Sequence, residues 1–102
     1  MIARDYSQLL KMRGYETVAV DRKQHIFRKS HLHNESYCVV SKDAHGKGSR
    51  IAFSVVRKPL PADPADAQLA ECDAKYLGKE AARISEAFYE MKKTKKPRYY
   101  LF

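Results

Sequence analysis

The stretch RIAFSVVRKPLPADPADAQ, residues 50–68, decides the fold. In its first half Ile51, Phe53 and Val55 alternate with Ala52, Ser54 and Val56, the period of two that places successive side chains on opposite faces of a strand. Pro59 and Pro61 stop that strand, because each fixes φ and has no N–H to give a ladder. Pro64 suits the first position of a helix, Asp63 the N-cap before it, and Asp66 the acidic first turn. Strand, break and helix are thus written in one continuous piece of chain.

Downstream, Leu77, Ala81, Ile84, Phe88 and Met91 recur at intervals of four, three, four and three. This is the core-facing stripe of an amphipathic helix over 64–93. Leu69, Cys72 and Tyr76 are expected to extend the stripe backward, with Gly78 as a kink or a close-packing point. Thirty residues of helix rise about 45 Å, so one end should project beyond a small sheet or Gly78 should divide the helix in two. The tail KKTKKPRYYLF, residues 92–102, is basic and aromatic, and YYLF is expected to pair as an edge strand or to bury against the long helix.

Upstream, Ala3–Arg13 reads as a short amphipathic helix with Asp5 near its start and Gly14 just past its end. Three further strands follow: Tyr15–Val20, Gln24–Ser30 and Ser36–Ser41, rich in branched and aromatic residues. In the second of them Ile26 and Arg28 share one face, and His25, Phe27 and Lys29 the other. HLHNE is a turn. Asp43–Ser49, with two glycines, is a hairpin loop. Four strands without helix-length crossovers make an antiparallel meander. The expected fold class is α+β: a short N-terminal helix, a four-stranded mostly antiparallel sheet, and a long C-terminal helix packed on one face. At 102 residues the chain is expected to form a single domain, 1–102.

Composition narrows the function classes. An apolar share of 44% is enough to build a core. No apolar run approaches the ~20 residues that cross a bilayer, so no membrane partner is expected. The N-terminus MIARDYSQLL lacks the pattern of a secretory signal, and a cytoplasmic or nucleoplasmic location is expected. Cys38 and Cys72 are too few for a disulfide framework and read as reduced, half-buried thiols.

Charge supplies the main functional bias. The net charge is +8, and it is unevenly spread: residues 1–58 carry 12 basic and 5 acidic side chains, residues 59–91 carry 3 and 7, and residues 92–102 carry 5 and none. A basic sheet region beside an acidic helix suits docking on phosphates, of RNA or of DNA. Arg22, Lys23, Arg28, Lys29, Lys42, Lys47 and Arg50 are the expected nucleic-acid contacts, and Gly46 and Gly48 allow backbone amides to approach phosphate oxygens. Tyr76, Tyr89, Tyr99 and Tyr100 are candidates for a protein interface, since tyrosine is enriched at such surfaces. The C-terminal helix or tail also offers a homo-oligomer contact.

Chemistry-bearing motifs are sparse. His31, His33, Cys38 and His45 tempt a metal assignment, but the chain has no CxxC and no HExxH, and no metal or other cofactor is expected. HGKG lacks the length and the strand-to-helix setting of a phosphate-binding P-loop and reads as a hairpin tip. His25, close to Arg22, Lys23, Arg28 and Lys29, combines a proton carrier with cations, the minimum for metal-independent RNA cleavage.

The segment LLKMRGYETVAVDRKQHIFRK, residues 9–29, resembles the opening of the small HicA-type RNA-cleaving toxins, which have a compact double-stranded-RNA-binding-like fold. That resemblance implies His25 at the position of the catalytic histidine, although Lys23-Gln24-His25 replaces the Gly-Ser-His of those toxins. It is a likeness of fold rather than membership. Three functions follow as expectations: a noncatalytic nucleic-acid-binding accessory or regulatory protein; a protein-binding inhibitor or adaptor acting on a nucleic-acid-processing partner; and a small ribonuclease.

Overall fold

A computed structural model describes residues 3–59 and 64–93. The expected N-cap Asp63 and the tail with Tyr99 and Tyr100 lie outside the described residues.

Helix α1 spans Tyr6–Met12. Asp5 Oδ1 accepts the N–H of Gln8 at 2.9 Å, satisfying one of the donors a helix start leaves open. Gly14 has φ +89°, which lets the chain reverse and Tyr15 donate its N–H to Leu10 at 3.0 Å. Strands β1 (Glu16–Val20), β2 (Gln24–Ser30), β3 (Asn34–Lys42) and β4 (Gly48–Arg57) then form an antiparallel sheet in the order β1-β2-β3-β4. Helix α2 runs unbroken through Pro64–Lys93, and Gly78 does not divide it.

β3 is longer than its apolar pattern indicates. Asn34 and Glu35, read as part of the turn, pair with Arg57 and Val56 of β4. Their polar side chains hid that pairing, and Asn34 is buried for a reason given below.

Both helices cover the same face of the sheet. The core joins Leu9, Leu10 and Tyr15 to Phe27, Cys38, Val40 and Ile51 from the strands, and to Ile84, Phe88 and Met91 from α2. Phe53 packs at its margin, its ring 5.9 Å from that of Tyr15. The five stripe residues of α2 from Leu77 to Met91 are all buried.

Toward the N-terminus of α2 the expectation is corrected. Leu69, Cys72 and Tyr76 are exposed, whereas Ala70 and Asp73 are buried. Positions 70, 73 and 77 continue the three-and-four spacing, so helical geometry carried the buried face through a carboxylate rather than through the nearby apolar residues. The two cysteines are free but unlike each other. Cys38 is fully buried, its thiol pushed up to about 12 by burial, and Cys72 is exposed. Among the described residues no helix is long and apolar enough to cross a membrane.

Candidate nucleic-acid interface

The β1–β2 turn and the β3–β4 turn emerge at the same end of the sheet, two interstrand spacings or roughly 10 Å apart. Each is organised by an aspartate. Asp21 Oδ1 accepts the N–H groups of Lys23 at 2.7 Å and Gln24 at 2.9 Å. Asp43 Oδ1 accepts those of His45 at 2.8 Å and Lys47 at 3.0 Å, and Gly46 at φ +78° closes the loop. Both carboxyls are held below the usual carboxylate range, Asp21 by the N–H groups of Gln24 and Lys23 and Asp43 chiefly by that of Lys47. The aspartates of both turns are therefore bonded to their own turns.

Lys42 ties the tips together. Its N–H donates to the carbonyl of Lys23 at 2.8 Å, and its Nζ donates to the carbonyl of Asp21 at 2.8 Å. An open groove of about 470 Å³ lies between the tips, lined by Val20, Asp21, Arg22, Lys42, Asp43, Ala44 and Gly46. The C-terminal end of α2 reaches the same place, where Lys92 Nζ donates to the carbonyl of Ser49 at 2.6 Å. Arg22, Lys23, Lys47 and Arg50 are exposed there and form no ion pair among the described residues.

Five of the seven expected cations are thus gathered: Arg22, Lys23, Lys42, Lys47 and Arg50. Two are not. Arg28 stands on the open face of the sheet opposite Tyr37. Lys29 points under α2 and donates to both oxygens of Glu80, at 2.9 and 3.2 Å. Lys92 joins the cationic end, which charge along the sequence did not reveal because helix length alone decides where it arrives, while Lys93 pairs with Glu90 at 3.4 Å.

His25 lies on the covered face and is buried. Its Nδ1 is 3.1 Å from Tyr6 Oη and its Nε2 is 2.8 Å from Thr17 Oγ1, so each ring nitrogen meets a hydroxyl. The ring stacks on Phe27 with centroids 4.0 Å apart. Burial, then Lys42 and Lys11, lower its pKa, with Asp5 opposing. The imidazole bridges α1, β1 and β2, and a substrate proton would have to displace one of its hydroxyl partners.

The other histidines and Cys38 do not converge. His31 and His33 sit at the β2–β3 turn, His45 at the opposite end of the sheet, and Cys38 in the core. Among the described residues no group of three or more His, Cys, Asp or Glu is placed to hold a metal ion. The polar centre that sequence reasoning missed is Asp73. Its carboxylate pairs with His31 Nδ1 and accepts the N–H of His33 at 3.1 Å and Asn34 Nδ2 at 2.9 Å. Asn34 Nδ2 also donates to the carbonyl of Ala70 at 2.8 Å. Asp73 fastens the β2–β3 turn to α2. The only signal for it in the sequence is its register with the apolar stripe.

Tyr89 lies beside the cationic end, its hydroxyl accepting the N–H of Ile51 at 3.4 Å and its ring beneath Lys92. Tyr76 lies beside the Asp73 centre, with its hydroxyl on Glu80 at 3.2 Å.

Fold and site define an α+β protein in which a four-stranded meander, backed on one face by two helices, presents a preorganised cationic end. No protein family model, no curated protein and no solved structure matches the chain. The likeness of residues 9–29 to the RNA-cleaving toxins therefore stands on that segment alone.

Proposed function

We propose that this chain is a noncatalytic nucleic-acid-binding protein, an accessory or regulatory factor that seats a phosphate backbone on the cationic end of its sheet. The observation that carries this reading is the union of Arg22, Lys23, Lys42, Lys47 and Arg50 on two turns and the strand ends beside them, tied together by Lys42, with Asp21 and Asp43 bonded to their own turns. A turn backbone held in place loses less freedom on binding than a mobile loop, so more of the attraction of its cations appears as affinity. The groups available are charges and backbone amides. They position a backbone and carry little sequence information.

The test is a titration of the full chain with duplex DNA, duplex RNA and single strands at several salt concentrations. Log K for duplex DNA should fall linearly with log salt, with a slope of about −4.5 for roughly five phosphate contacts. A folded protein that binds none of these at low salt overturns the proposal.

A further inference from the structure

The end of the molecule opposite the cationic tips carries a second surface. Leu69, Cys72 and Tyr76 recur at i, i+3 and i+7 on α2, so they form one line about 100° round the helix from the buried stripe. Leu69 is 55% exposed and Tyr76 49%. Leu32, at the tip of the β2–β3 turn, is 77% exposed. Asp73 holds that tip against the same stretch of helix, and the His31 ring lies 5.2 Å from the Tyr76 ring. Scattered exposed apolar residues are ordinary, but three in one line on α2, with a fourth on the turn that Asp73 fastens to that helix, make a patch.

Its rim is positively charged. Lys75, Lys79 and Arg83 run at i, i+4 and i+8 along the outer flank of the line, exposed and in no ion pair among the described residues. Among the carboxylates on this part of α2, Glu80 is bonded to Lys29 and to the Tyr76 hydroxyl, while Glu71 and Glu86 are exposed on the outer flank, which their two charges leave net positive.

We propose that this patch docks a segment of a protein partner that carries apolar anchors flanked by aspartate or glutamate. Leu32 and Leu69 offer a polyanion neither a hydrogen bond nor a ring to stack on, and the cationic end is the better place for phosphates. A second copy fits poorly. Symmetric contact through the patch sets Lys75, Lys79 and Arg83 near their own counterparts, and like charges at an interface are unfavourable. An acidic amphipathic segment satisfies the apolar line and the rim together.

The experiment selects from a random peptide display library on the full chain, after nuclease treatment, and measures the winners on variants. Sequences combining apolar anchors with net negative charge should emerge. Their affinity should fall about tenfold or more on Tyr76→Ala, and comparably on Lys75→Glu with Lys79→Glu, while binding of duplex DNA stays unchanged on Tyr76→Ala. All three positions are exposed, and circular dichroism of each variant verifies the fold. If Tyr76→Ala fails that check, Leu69→Ser replaces it. The proposal is overturned by no enrichment, by winners indifferent to both sets of variants, by winners without acidic residues, or by concentration-dependent dimerisation that Tyr76→Ala abolishes.

Discussion

Burial sets the direction in which the His25 pKa moves. Its folded-state pKa lies below the unfolded value of about 6.5. Above that pH both states are neutral and the full stability is present. As pH falls through it, the unfolded chain takes up the proton first, and stability is lost until the folded-state pKa is passed. Urea midpoints of the wild type should therefore drop between pH 7.5 and 5.5, and His25→Gln should flatten that drop. An equal drop in the variant refutes the assignment. Asp73 is the converse case, a buried acceptor whose loss takes away the partner of the His33 N–H and one of the two acceptors of Asn34 Nδ2. Asp73→Ala should cost about 3 kcal/mol in urea unfolding, and a cost below about 0.5 kcal/mol, the level of an ordinary surface change, would remove its fastening role. Neither role was legible in the sequence. The hydroxyl partners of His25 and the burial of Asp73 depend on register with neighbours distant in the chain, which charge and composition do not record.

At the scale of elements, local pattern and chain punctuation carried most of the fold. The period of two in β4, the prolines after it and the stripe from Leu77 to Met91 specify strand, break and helix by themselves. Two glycines separate tertiary from local demands. A Cβ on Gly48 would lie 3.0 Å from the Phe88 ring and 3.1 Å from a Val40 methyl, so Gly48→Ala should destabilise by about 1–3 kcal/mol through overpacking. Gly78 has open space around its Cβ position in mid-helix, and Gly78→Ala should stabilise by about 0.5–1 kcal/mol. Thermal or urea unfolding of the two variants checks both signs, and a stabilised Gly48→Ala would contradict the packing of α2 against β4. Phe88→Ala, which opens a cavity at that contact, should cost about 3–5 kcal/mol. The early end of β3 and the buried face at Asp73 escaped the sequence because both are polar positions buried by pairing, and hydrophobic patterning cannot register them.

Across the whole molecule, the topology turns a charge imbalance along the chain into a spatial one. A meander sends alternate turns to opposite ends, so the β1–β2 and β3–β4 turns combine, and α2 brings Lys92 to them. Composition announced a basic surface, but only the fold separates the gathered cations from Arg28 on the open face and from Lys29 beside Glu80. That separation makes the central claim testable by one comparison: the salt dependence of duplex binding for the wild type, for Lys23→Ala with Lys47→Ala, and for Arg28→Ala. The double variant should lower the magnitude of the slope by about two, and Arg28→Ala should leave it at the wild-type value. Equal slopes for the wild type and the double variant, or a loss on Arg28→Ala as large as that of the double variant, would contradict the claim.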